Sequence, residues 1–397
     1  MAFSRKEELE KCLSFLDEEE VIRFLSDLIG INSSNPPGNE KNVAERVKLK
    51  LDEYGIECNV MELEQANRAN LFARIGDESR GPNLVYSGHY DVVPSGEGWK
   101  FDPFGAVVEN DVMYGRGTSD MKGGDAAMTM AMCILKKAGV PLNGALSLLG
   151  TSGEEVDLYG SKAYVERFGA DGIDALAISE ASNGDILVAE KGALWLKFVS
   201  KGKRAHGGQP RQGVNALTNM IQFIERIQGM QFDVVDNEFL TPPTLCLTSM
   251  HAGDLTNVIP DRCEATVDIR TIPGNSHSDL LARIAKELDE LKKENGTIDI
   301  STEIQHDLLP IGTDVNNSLV GSAKNAYRAI FRKEPDLKGV VYYTDAVPFR
   351  EVKPELPLVI FGPGDYSRNH KIDEYVELKS VLDATRFYIA FALDYLK

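Results

Sequence analysis

The sequence predicts an α/β protein with a mostly parallel central sheet, into which a smaller α+β unit is inserted. Three observations predict it. Short apolar runs alternate with helical periodicities through the first part of the 397-residue chain. The texture changes at about residue 190, where a β-α-β-β-α-β order begins. The first alternation resumes after about residue 306. Residues 1–190 and 306–397 are therefore expected to form one domain, and 191–305 an inserted one.

Each element has its own warrant. Val21, Ile22, Leu25, Leu28 and Ile29 make a helical stripe over 19–30. Val43, Val47, Leu51 and Tyr54 repeat it over 40–54, with Gly55 as the stop. Apolar runs at 70–74, 83–87, 145–149 and 174–178 read as strands, and a helix over 123–138 separates the second from the third. In the insert, 193–199, 244–248, 263–269 and 297–304 read as strands, and 214–228 and 277–294 as helices. A helix over 315–331, strands near Val340 and at 357–361, and a helix over 378–395 complete the chain.

Composition narrows the function. Apolar residues make up 43% and charged residues 26%, an ordinary globular mixture. A net charge of −18 without a Lys/Arg run argues against nucleic acid and against anionic membranes. The first twenty residues are charged throughout, so no secretory signal is expected, and no apolar stretch is long enough for a membrane span. Five scattered cysteines (Cys12, Cys58, Cys133, Cys246, Cys263) and no CxxC point to buried free thiols in a reducing cytoplasm.

The chemistry sits where apolar runs end. The run from Asn83 ends in His89-Tyr-Asp91, that from Ala145 in Glu154-Glu155, and that from Asp174 in Glu180; the run from Pro357 leads to His370. In an open parallel sheet, ligands bind beyond the carboxyl ends of the strands. The loop Gly115-Arg-Gly-Thr-Ser-Asp120-Met-Lys adds Asp120 just before a helix. Two histidines with several carboxylates suit Zn²⁺, Co²⁺ or Mn²⁺ rather than a thiolate site, and a shared carboxylate can bridge two ions. Asp91 stands where it could orient the His89 ring. Of the adjacent pair Glu154 and Glu155, one can be a ligand and the other a free carboxylate that moves a proton from water to a leaving nitrogen.

Together, Ser87-Gly-His89-Tyr-Asp91, Gly115–Lys122, Glu154-Glu155, Glu180 and His370-Lys-Ile-Asp-Glu374 resemble the M20 family of metallopeptidases and deacylases, over almost the whole chain. The resemblance implies a zinc-peptidase-like catalytic domain and a ferredoxin-like lid that also serves dimerisation. It implies two Zn²⁺ or Co²⁺ ions, one held by His89 and Glu180, the other by Glu155 and His370, with Asp120 bridging. It further implies that Asp91 orients His89, that Glu154 is general base and acid, and that Asp120–Met121 is a cis peptide. His206, in Lys203-Arg-Ala-His206, would stabilise an oxyanion from a partner subunit, and Asn257 and Arg270 would grip the substrate. Ala181-Ser follows Glu180 where the family often has Pro-Thr, and Gly207-Gly208 follows His206 where Ser is common.

The expected activity is removal of an acyl group from an N-acyl amino acid by a homodimeric cytoplasmic enzyme. A di- or tripeptidase or carboxypeptidase with the same machinery is the runner-up, and a non-catalytic binding protein on this fold is the remote alternative. His251, His277 and His306 read as structural, and Trp99 and Trp195 as core in preference to pocket wall.

Overall fold

The computed structural model describes residues 3–233 and 236–397. The chain divides into two units. One holds the residues up to Ala189 with Gly312–Lys338 and Thr344–Lys397; the other holds Glu190–Ile311 and Gly339–Tyr343.

The first unit is built on a mixed sheet. Its strands run in the order Cys58–Glu62, Ala69–Gly76, Ala145–Thr151, Asn83–His89, Ala175–Ile178, Leu358–Ile360, Ile186–Glu190. The four central ones are parallel to one another, and the flanking ones pair antiparallel. The central strands are buried along their whole length, the near-continuous apolar pattern that sheets covered on both faces require. Register then sets the level of each strand end. His89 pairs with Thr151, and Ser87 with Ile178, so Glu180 follows two residues on, level with His89.

The helix Lys122–Ala138 is buried on nearly every side, because it packs between the sheet and the helices Glu18–Ile29 and Leu378–Tyr395. Its small residues make this possible: a Cβ on Gly124 would stand 2.1 Å from the Ser179 carbonyl oxygen. Gly139, at φ +61°, ends the helix in the left-handed cap conformation that glycine adopts without strain.

The second unit carries a four-stranded antiparallel sheet in the order Thr244–Ala252, Arg262–Thr271, Gly192–Lys201, Ile300–Leu308. With the helices Ala216–Gln228 and His277–Glu294 this is the ferredoxin-like strand order. Strict alternation in 262–271 turns Cys263, Ala265, Val267 and Ile269 onto Met220, Phe223, Ile284 and Leu288 of the helices. Asn215 accepts the N–H groups of Leu217 and Thr218, which is why the first helix begins at 216 rather than 214.

Two expectations are corrected here. Trp99 and Trp195 are half-buried rather than core; Trp99 is covered by the Arg116 guanidinium, 5.2 Å from its ring. Cys12, Cys133 and Cys263 are buried free thiols, but Cys58 is half-buried and Cys246 lies exposed on an edge strand.

Candidate metal centre

Seven of the residues singled out above converge in the first unit. His89 is the last residue of its strand and is buried. Its Nδ1 stands 3.0 Å from the Asp91 carbonyl oxygen, so the neutral ring carries its proton there and turns the Nε2 lone pair inward. That lone pair faces Asp120 Oδ1 at 3.1 Å and Glu180 Oε1 at 3.2 Å. On the other side, His370 Nε2 faces Asp120 Oδ2 at 3.2 Å and Glu155 Oε2 at 3.0 Å. Asp120 thus divides its two oxygens between two donor groups, within each of which the ligand atoms lie inside 4.8 Å of one another.

Lone pairs and carboxylate oxygens that converge repel unless a proton or a cation stands between them. Neighbouring ligands around a tetrahedral ion with bonds of about 2.0–2.1 Å are roughly 3.3 Å apart, close to the separations found. Glu155 Oε1 is buried and has no hydrogen-bond partner among the described residues. The residues present fit two nitrogen- and oxygen-ligated divalent cations. Glu154 belongs to neither group: its Oε2 is 4.0 Å from His89 Nε2, and the side chain is nearly buried.

The loop carrying the glutamate pair is held from behind. Asp91 Oδ1 accepts the N–H groups of Gly153 at 2.9 Å and Glu154 at 3.1 Å, and Oδ2 accepts that of Glu155 at 3.3 Å. The Asp91 carboxylate is 3.5 Å from the His89 ring, farther than its own carbonyl, so its main contacts are with this loop. Gly153 turns the chain at φ +79°, where a Cβ would meet the Arg68 guanidinium at 2.4 Å.

Charge in the cluster is balanced by protons when no cation is there. Burial, helped by the negative charge of Asp120, pushes the Glu155 and Glu180 carboxyls up to about 7. Hydrogen bonds to Asp120 and Glu155 raise His370 to about 10. Burial opposes charge on His89, but Asp120, Asp91 and Glu180 together raise it well above the usual imidazole range. Burial, helped by the negative charges of Glu180, Glu155 and Asp345, drives Glu154 well above the usual carboxylate range.

Residues 85–394 match the model of peptidase family M20/M25/M40. The chain belongs to that family. It is an M20 hydrolase. A succinyl-diaminopimelate desuccinylase of Roseobacter denitrificans is 30% identical over 388 residues, covering 94% of this chain and 98% of that protein. A "probable succinyl-diaminopimelate desuccinylase" of Staphylococcus aureus (strain MRSA252) is 27% identical over 414 residues, covering 97% of this chain and 100% of its own. Among solved structures, aminopeptidase PepT from Bacillus cereus superposes with a TM-score of 0.79 over 96% of this chain and 100% of its own, at 20% identity.

The other residues singled out from the sequence, His206, Asn257 and Arg270, lie on the second unit. His206 is exposed, its Nδ1 accepts the Gly208 N–H at 2.9 Å, and the proton of the neutral ring is therefore on Nε2. Asn257 is its neighbour, accepting the Gly207 N–H at 2.7 Å. Arg270 is separate from this pair in the sheet; its guanidinium is engaged by Asp268 at 2.9 Å and lies over the Tyr343 ring. The Asp120–Met121 peptide is cis.

Several supporting residues escaped the sequence reading. Asn35 donates to Asp91 Oδ2 at 2.9 Å; its signal was a polar Ser33-Ser34-Asn35-Pro turn after an apolar helix. Asp345, buried, accepts from the hydroxyls of Ser161 at 2.5 Å and of Thr151.

The proton balance makes a prediction. Cations bind these ligands only when the protons leave, so affinity should climb as pH rises from about 6 to 8 and fall as Glu155 and Glu180 protonate below about 7. Calorimetric titration of the apoprotein with Zn²⁺ at pH 7, in buffers of different ionisation enthalpy, should show release of at least about two protons per chain. Heats independent of buffer would refute this.

Proposed function

We propose that this M20 hydrolase uses two divalent ions, Zn²⁺ or Co²⁺, to remove the acyl group from an N-acyl amino acid, with N-succinyl-diaminopimelate the first compound to test. The observation that carries the two-ion reading is the division of the Asp120 carboxylate between the His89–Glu180 and Glu155–His370 groups. The acyl specificity rests on full-length relatives named desuccinylases. Five unpaired cysteines suit a cytoplasmic location.

In this reading, His89 and Glu180 hold one ion, Glu155 and His370 the other, and Asp120 both. Such ions, when bound, polarise the scissile carbonyl and lower the pKa of the attacking water. Glu154, which no donor group uses, takes the proton from that water and returns it to the leaving nitrogen. The raised proton affinity of its carboxyl favours the first of these steps. Asp91 keeps Glu154 and Glu155 in register through the three N–H groups that it accepts. The assignments of His206 as oxyanion donor, through Nε2–H, and of Asn257 and Arg270 as substrate-binding residues belong to the same proposal. So does a homodimeric assembly.

The test is hydrolysis of N-succinyl-diaminopimelate, N-acetylornithine and a dipeptide, each with Zn²⁺ or Co²⁺ and again with chelator. Chelator-sensitive cleavage of an N-acyl compound, at least about tenfold faster in kcat/KM than of the dipeptide, is expected. Preferential cleavage of the dipeptide would replace deacylation by peptidase activity. No cleavage of any of them with metal bound would sink the proposed substrate class.

A further inference from the structure

His370 occupies an unfavourable place for a ligand. Its side chain is 56% exposed, it lies ten residues beyond the end of the nearest central strand, and its backbone sits at φ +63°, as that of Asp373 does at +55°. Nothing in such a loop fixes a ring by packing alone. Yet its Nε2 lies within 3.2 Å of both Asp120 and Glu155.

Four residues on, the chain dives inward, and the Glu374 side chain is wholly buried. Its carboxylate is saturated. Oε1 accepts the N–H groups of Ser119 at 2.9 Å and Asp120 at 3.1 Å; Oε2 accepts that of Gly117 at 3.2 Å and the Arg116 guanidinium at 2.6 Å. Two further ties join the same segments: Gly115 N–H to the Glu374 carbonyl at 3.0 Å, and Ser119 Oγ to the Tyr375 carbonyl at 2.8 Å. Arg116 is itself held against Trp99, whose indole N–H bonds to the Ser95 carbonyl. The loop that ends in Asp120 and the segment that begins at His370 are thus one hydrogen-bonded piece, with Glu374 at its centre.

We propose that Glu374 is the positioning residue that fixes His370 relative to Asp120, and thereby determines the affinity of the ion held by Asp120, Glu155 and His370. The inference rests on the two-ion reading above. Glu374 touches neither ion nor substrate. It acts by orienting the backbone N–H of Asp120 and by anchoring the exposed His370 loop in the interior, as partners behind a ligand do at metal sites. Glutamine at 374 keeps the volume but loses the charge that four donors require, and its amide would direct an N–H at one of them.

The experiment is a Co²⁺ titration of the full-length apoprotein, read by d–d absorption and by equilibrium dialysis, for the wild type, Glu374→Gln and His370→Ala. The wild type is expected to bind two ions. Glu374→Gln should weaken one of them by about 10- to 100-fold and the other by less than about threefold, the weakened ion being the one that His370→Ala loses. Its kcat should recover at high Co²⁺, which a general loss of structure would not allow. Should Glu374→Gln fail to fold, Ser119→Ala removes one neighbouring tie and keeps the buried ion pair, and should weaken the same ion by about threefold. Two ions bound with wild-type affinities in the variant that folds, or both weakened equally, would overturn the role given to Glu374. A wild type that binds fewer than two ions would instead overturn the reading beneath it.

Discussion

Replacing Glu154 by glutamine is expected to lower kcat by roughly 10²- to 10⁴-fold, the usual contribution of a positioned acid–base group, with two ions still bound. The amide preserves shape and volume but cannot accept the proton of the attacking water. Metal content should survive because Glu154 is in neither donor group, and because its backbone position depends on Asp91 rather than on its own side chain. KM should change little, since the carboxylate is assigned to proton movement and not to substrate binding. Steady-state kinetics with metal analysis on the same sample checks this. A variant with both ions and near-normal kcat would mean that another group moves the proton.

The residues at this site divide sharply in how far they can be read from the chain. His89, Glu154, Glu155 and Glu180 end or closely follow apolar strands, and parallel register alone brings strand ends to a common edge. Asp120 was readable for a different reason: the glycines around it mark a tight loop before a helix. His370 was less directly readable: the apolar run from Pro357 leads towards it, but it stands ten residues past the strand end, beyond a left-handed turn at Gly364, so register alone does not fix its level. Glu374 and Asn35 lay further out of reach, because their partners are 254 and 56 residues away in sequence, and a buried carboxylate leaves no periodic trace.

The same limit explains errors of detail in the fold. Helices with strong stripes or definite caps were read closely: 277–294 and 378–395 match the observed bounds, and the late starts at Ala216 and Ser318 follow from the caps Asn215 and Asn317. The helices Tyr159–Phe168 and Ala346–Val352 went unread. Neither has a side-chain cap, and the first enters through Leu158 at φ +58°. Their places come from tertiary packing rather than from local signals. Trp99 misled for a related reason: composition assigns an indole to the core, but here it is a half-buried platform for Arg116.

Asp120→Asn should have the broadest effect of any single change. Among the described residues, the carboxylate is the one group that offers an oxygen to both histidine-containing sets, at 3.1 and 3.2 Å from His89 and His370. An amide offers one oxygen and, on the other side, N–H donors that repel a cation. At most one ion per chain should remain, and activity should fall by about 10³-fold or more, since charge stabilisation worth several kcal/mol is removed. In the absence of metal the carboxylate is held by the two imidazoles whose proton affinity it raises, and these contacts keep its own proton affinity well below the usual carboxylate range. Removing its charge therefore costs the apo fold stability at neutral pH, although repulsion of Glu155 and Glu180 is relieved, and the apo variant should melt somewhat below the apo wild type. On addition of metal, the wild type should gain about 2.7 kcal/mol per site at a hundredfold excess over Kd, and the variant no more than one site's worth. Thermal unfolding of both proteins with chelator and with Zn²⁺ would reveal this pattern, and a variant that gains as much from Zn²⁺ as the wild type would show instead that Asp120 does not serve both sites.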